Sequence, residues 1–146
     1  LHGSTGAVPH AHAIAASVPH TTSRRAHGGA TTMSILEVGA GDFSFAAATS
    51  ARAPNVLATT VDTEESMPRL YPTSSAHVET VRASGGRVAF GIDATRLDLY
   101  EAVADAAPYD LVVWNFPHIR GKQNVRKNRA LLTAFLASAT PLLREA

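Results

Sequence analysis

From Met33 onward the apolar and polar positions of this chain alternate between two rhythms. Ser34-Ile35-Leu36-Glu37-Val38 is a short apolar run that stops on Gly39-Ala40-Gly41, the pattern of a buried strand entering a tight turn. The Ala-rich stretch from Phe43 to Arg52 favours helix, and Pro54-Asn55 ends it. Val56 to Val61 reads as a second strand ending on Asp62, and Ser74 to Ala83 as a helix stopped by Gly85-Gly86. Arg87 to Ile92 is a third strand ending on Asp93, followed by a helix from Leu97 to Ala106 closed by Pro108. Asp110 to Trp114 is a fourth strand running into Asn115-Phe116-Pro117-His118. A long helix over about 124–143 places Leu131, Leu132, Phe135, Leu136 and Leu142 on one apolar side.

Strand followed by helix, repeated along the chain, predicts an α/β fold with a parallel sheet and right-handed crossovers. In such sheets ligands sit outside the carboxyl ends of the strands, near the point where strand order reverses. Each of the four ends carries a distinctive group here: Gly39-Ala40-Gly41-Asp42, then Asp62, Asp93 and Asn115-Phe116-Pro117-His118. The glycines let backbone approach a ligand closely. Asp62, about twenty residues beyond the glycine turn, suits hydrogen bonds from ribose hydroxyls. Strand-to-helix turns and helix caps use the same residue types, so Gly39, Gly41, Asp62 and Asp93 each carry a purely structural alternative.

An NAD(P)-binding domain is the nearest competitor. Its fingerprint wants a third glycine where this chain has Ser44, preceded here by bulky Phe43. Asp42 also puts negative charge where a pyrophosphate would lie, whereas a cationic nucleoside such as S-adenosylmethionine is helped by an acid there. Pro117 has no N–H and a fixed φ, which stiffens the loop around Asn115. His118 is a candidate proton acceptor near neutral pH. Five of the thirteen basic residues, Arg120, Lys122, Arg126, Lys127 and Arg129, fall within ten positions just beyond this loop. They suit phosphate contacts with RNA, or else form a solvated helix face.

With 146 residues, 45% of them apolar, the chain holds enough for one domain and no apolar run long enough to suggest a membrane span. It has no cysteine, so disulfides and thiolate metal sites are excluded. Residues 1–32 contain no acidic residue and five of the seven histidines, His2, His10, His12, His20 and His27. They read as a disordered leader, with a transit peptide as the weaker alternative and metal binding disfavoured by irregular spacing. The folded domain is expected over 33–146. A start at Leu1 and a stop after Leu142-Leu143-Arg144-Glu145-Ala146 read as a fragment or a gene product cut short at both ends.

Gly39-Ala40-Gly41-Asp42-Phe43-Ser44-Phe45, Asp62, Leu70-Tyr71-Pro72, Gly91-Ile92-Asp93-Ala94-Thr95, Asn115-Phe116-Pro117-His118, Gly121-Lys122 and Asn128-Arg129-Ala130-Leu131-Leu132 occur in that order. In combination they resemble the eukaryotic rRNA uracil-N3 methyltransferases of the yeast large-subunit type, over about Ile35 to Leu143. The resemblance implies a Rossmann-like class I methyltransferase sheet, S-adenosylmethionine as cofactor, no metal, and a monomer acting on ribosomal RNA or the pre-ribosome. It implies a nucleolar location, with the cytoplasm as alternative. It also implies donor contacts from Gly39, Ala40, Gly41, Asp42, Phe43, Asp62, Asp93 and Ala94. Asn115, Phe116, Pro117 and His118 would then orient the base and accept its proton, and the basic cluster would hold RNA.

Two departures stand out. The family usually has Glu where this chain has Ala40, and commonly Asn at His77, a change expected to be harmless. The family's later strands are missing, which predicts strand order 3-2-1-4 with the fourth strand as an unprotected edge. Weak or absent turnover is expected of this chain alone. A non-catalytic RNA-binding module on the same fold is therefore the alternative from another class.

Overall fold

The computed structural model describes residues 32–119, 121–122 and 124–145. Residues 1–31 of the proposed leader, with its five histidines, and Arg120 lie outside the described residues. Four parallel strands form one sheet in the order β3-β2-β1-β4, the order expected: β1 is Ile35–Glu37, β2 Val56–Thr59, β3 Arg87–Ala89 and β4 Leu111–Val113. The register is continuous, with Ile35 beside both Val56 and Leu111, and Leu57 beside Arg87.

Successive residues of a strand face opposite sides of the sheet, and the core divides accordingly. Ile35, Val56 and Ala58 pack against α1 (Ser44–Ser50), α2 (Met67–Leu70) and α3 (Ser74–Ala83) through Phe43, Ala46, Met67, Val78 and Val81. Leu36 and Leu57 face the other way. They pack with Ile92, Leu97, Tyr109, Val103 of α4 (Glu101–Ala104), and Phe135 and Ala139 of α5 (Val125–Ala139). Helices thus cover both sheet faces, which is why the strands are nearly all apolar. Among the described residues no helix is long and apolar enough to cross a membrane.

Several elements differ from the sequence expectation. The stretch expected as one helix from Leu97 to Ala106 is a 3-10 turn, Leu97–Leu99, then α4, separated by an extended Tyr100. The tyrosine hydroxyl turns back to accept from the Asp93 N–H at 3.1 Å, which breaks the helix. A 3-10 turn at Glu64–Ser66 and the one-turn α2 have no counterpart in the expected pattern. On α5, Phe135 is buried, but Leu132 and Leu136 are exposed, so the apolar side is narrower than expected. The fourth strand's edge is covered at its start. Leu143 runs parallel beside Tyr109, Tyr109 N–H donates to the Leu142 carbonyl at 2.8 Å, and Arg144 N–H donates to that of Tyr109 at 2.8 Å. Asp110 pins this corner by accepting from Ser34 N–H at 2.7 Å and Arg144 Nε at 2.6 Å.

Candidate functional site

The strand order places four loops along one edge of the sheet: 39–43 after β1, 60–66 after β2, 90–96 after β3 and 114–119 after β4. The order reverses between β1 and β4, where a crevice opens in this kind of sheet. Backbone hydrogen bonds knit the loops together. Val38 N–H donates to the Val113 carbonyl (2.8 Å), Ala40 N–H to Thr59 (2.8 Å) and Gly91 N–H to Asp62 (2.9 Å). Gly39-Gly41, Asp62, Asp93 and Asn115 are therefore gathered at one rim.

The turn after β1 is left-handed at three residues, Gly39 (φ 61), Gly41 (φ 57) and Phe43 (φ 65). A bulky residue rarely takes that conformation. Phe43 keeps it because its ring is completely buried, edge-on to Phe90 with centroids 5.7 Å apart. Gly39 is also close to its neighbour: a Cβ there would stand 2.5 Å from Trp114 Nε1. Trp114 in turn packs edge-on against Phe135 at 4.9 Å. Ala40 is half-buried against the α1 side of the core.

Beneath the turn lies an acid that the strand pattern concealed. Glu37 is 2% exposed, and its Oε2 has no hydrogen-bond partner among the described residues. Burial, helped by the nearby Asp42 charge, pushes its carboxyl up to about 7. The sequence signal was a lone charged residue in the run Ile35-Leu36-Glu37-Val38, which reads as strand. Asp42 behaves oppositely. Its slight burial disfavours the charge, but hydrogen bonds from Ser44 and the adjacent His77 outweigh this and hold the carboxyl below its ordinary value. Asp42 Oδ1 accepts from Ser44 N–H at 3.0 Å.

Asp62 is largely buried at the end of β2, and its Oδ2 lies 3.4 Å from the Thr60 hydroxyl. Asp93 shows the capping role among its alternatives: Thr95 donates to its Oδ1 through N–H (2.8 Å) and hydroxyl (2.7 Å). Ala94 is buried, and its carbonyl accepts from Ser138 at 2.7 Å.

After β4, Asn115, Phe116, Pro117 and His118 line an open hollow of about 560 Å³ together with Asn128, room enough for a nucleoside. Phe116 is 80% exposed, an apolar ring presented to solvent. His118 Nδ1 sits 2.7 Å from the Phe116 carbonyl oxygen. A carbonyl only accepts, so Nδ1 carries the hydrogen and the basic lone pair of the neutral ring is on Nε2. Asn128 on α5 accepts from Ile119 N–H at 3.0 Å and ties the loop to the helix. Lys122, Arg126, Lys127 and Arg129 are exposed beyond this hollow, and Asn124 caps α5 by accepting from Lys127 N–H at 3.0 Å. Among the described residues no cluster of His, Cys, Asp and Glu is built to hold a metal ion.

Residues 36–146 match the family described as BMT5-like, rRNA (uridine-N3-)-methyltransferase BTM5-like. The chain is 33% identical over 119 residues, 75% of its length, to an Arabidopsis thaliana protein called heavy metal-associated isoprenylated plant protein 41, and covers 23% of that protein. It is 35% identical over 115 residues, 76% of its length, to human ferredoxin-fold anticodon-binding domain-containing protein 1, of which it covers 18%. A mouse homologue of the latter is 33% identical over 114 residues. The chain thus spans less than a quarter of these relatives, and no solved structure matches it.

Proposed function

The chain belongs to the BMT5-like rRNA methyltransferase family, and on that premise we propose that it binds S-adenosylmethionine and acts on N3 of a uridine in large-subunit ribosomal RNA. The observation that carries the reading is the contact of Gly39 with Trp114, which sets the glycine turn directly against the start of the Asn115 loop. A donor held at the first and a base held at the second would be neighbours.

The residues fit this donor better than a dinucleotide. Left-handed glycines expose backbone at the turn, and Asp42, whose carboxyl is held below its ordinary value, puts negative charge beside it. That charge suits a cationic ligand and opposes a pyrophosphate. Gly39, Ala40, Gly41, Asp42 and Phe43 would shape the donor site, with Asp62 toward the ribose and the Asp93-Ala94 segment toward the base. When bound, S-adenosylmethionine supplies an electrophilic methyl group.

The remaining chemistry falls to the chain's own side chains. Uracil N3 carries a proton and lies on the pairing edge, so the base has to be unpaired or flipped outward to enter. Phe116 offers an exposed face for it to stack on, and Asn115 a side chain to orient it. Pro117 stiffens the loop. His118 Nε2 accepts the N3 proton, while Nδ1–H stays on the Phe116 carbonyl and fixes the ring. Lys122, Arg126, Lys127 and Arg129, with Arg120, would hold the RNA backbone, and the nucleolus is the expected place of work.

Mapping N3-methyluridine in ribosomal RNA after deletion of the gene tests this function. Loss of one such mark, restored by the wild-type gene and not by an Asn115→Ala copy, is the expected result. An unchanged pattern would overturn this function and favour the alternative, a non-catalytic RNA-binding module.

A further inference from the structure

One side chain of α3 hydrogen-bonds to the turn after β1. His77, half-buried on α3, places Nδ1 2.8 Å from the Asp42 carbonyl oxygen and 3.8 Å from Asp42 Oδ2. The carbonyl only accepts, so Nδ1 carries the hydrogen and donates it. The other bonds on this turn are local or reach its base. Phe43 N–H donates to Ala40 at 2.9 Å, Ser44 N–H to Asp42 Oδ1 at 3.0 Å, and Ala40 N–H to Thr59 at 2.8 Å. The tip, Gly41-Asp42, is where the backbone is least constrained. A Cβ built on Gly41 would meet nothing within 4 Å, so packing does not hold it.

We infer that His77 is a positioning residue, whose hydrogen bond to the Asp42 carbonyl holds the Gly41-Asp42 tip in the form that receives the cationic methyl donor. The inference rests on the reading of this turn as the donor site. Without the tether, a glycine-flanked tip samples other conformers, and apparent affinity falls by the fraction of competent molecules. Beneath the turn, Leu36 and Val38 pack in one apolar cluster and Phe43 packs with Ala46, Met67, Val78 and Val81 in the other, contacts that do not use the imidazole's hydrogen bond. The effect therefore falls on donor binding rather than on folding. In asparagine the amide nitrogen hangs from the same Cγ as Nδ1 and donates in the same direction, so it replaces the tether. Alanine keeps the helix and removes the donor.

The test is calorimetric titration of S-adenosylhomocysteine into the 146-residue chain and its His77→Ala, His77→Asn and Glu79→Ala variants, with thermal unfolding of each. Glu79 is exposed on the same helix and controls for changes in α3. Loss of one hydrogen bond predicts a dissociation constant about three- to tenfold weaker for His77→Ala. The His77→Asn variant, which keeps the donor, is expected within about twofold of wild type. Glu79→Ala should bind as wild type. A His77→Ala variant that binds like wild type overturns the inference. So does equal weakening in the alanine and asparagine variants accompanied by equal loss of thermal stability, which marks a packing role. Absence of binding by the wild-type chain overturns the donor-site reading itself, and the inference with it.

Discussion

Gly39 and Trp114 meet where the strand order reverses, so closely that a side chain on the glycine would overlap the indole nitrogen at 2.5 Å. The contact joins two loops that lie far apart in the sequence. Trp114 is wedged in turn against Phe135 of α5, so the glycine turn, the Asn115 loop and α5 are packed in series. A donor and an acceptor held on these loops would be placed by shared packing rather than by independent hinges.

Two alanine substitutions separate backbone strain from this contact. Gly41 has a left-handed φ but open space around its Cβ position, so Gly41→Ala should cost about 1–2 kcal/mol. Gly39→Ala adds overpacking against Trp114, about 1–3 kcal/mol more. Urea denaturation should rank Gly39→Ala as the more damaging of the two. Equal costs would mean that the indole moves aside freely.

Glu37 predicts an unusual pH dependence of stability. Its carboxyl is raised from 4.5 to about 7 by burial, so the folded state holds a proton that the unfolded chain has lost. Stability from this group is complete below about 4.5 and is lost as pH rises through about 7, in total about 3 kcal/mol. Glu37→Gln should flatten the decline between those values in denaturation curves. A wild-type profile that rises across this window would show that Glu37 is charged and matched.

His118 and Phe116 should divide catalysis from binding. His118→Ala is expected to lower turnover by about 10²- to 10⁴-fold, with little change in RNA affinity. Phe116→Ala leaves folding intact, because the ring is already 80% exposed, but removes about 1–3 kcal/mol of base stacking. Single-turnover assays and RNA titrations read the two effects. An unaltered pH–rate profile in His118→Ala would assign proton removal to another group.

The basic rim makes a different kind of prediction. Replacing Lys122, Arg126, Lys127 or Arg129 with alanine should weaken RNA binding similarly for all sequences. The salt slope should fall by about one for each phosphate that is no longer neutralised. Titrations at several salt concentrations, with matched and scrambled RNA, check this. Weakening confined to one sequence would point to base readout instead.

The parallel sheet and its four strand ends are legible in the sequence because buried strands and amphipathic helices carry different periods, and the helix at Ser74–Ala83 appears where expected. What stays hidden depends on contacts between distant residues. Phe43 takes a left-handed conformation that its residue type disfavours, because the core beneath the turn accepts its ring. Tyr100 breaks a helix through its hydroxyl's bond to Asp93 N–H, a contact that no local pattern announces. Leu132 and Leu136 fit a helical apolar face yet lie outside the packed stripe around Phe135. Glu37 is read as strand, and His77 as a harmless exchange, because neither burial nor the bond to Asp42 is visible from spacing.

The central claim is that one rim, built from four strand ends, seats S-adenosylmethionine. Nuclear magnetic resonance of the isotopically labelled chain, titrated with S-adenosylhomocysteine, tests it most directly. The account predicts that perturbed amides gather at Gly39 to Phe43, Asp62, Asp93-Ala94 and Trp114 to His118. Shifts confined to the hollow between α2 and α3, near Met67 and Arg82, or no shifts at saturating ligand, would contradict it.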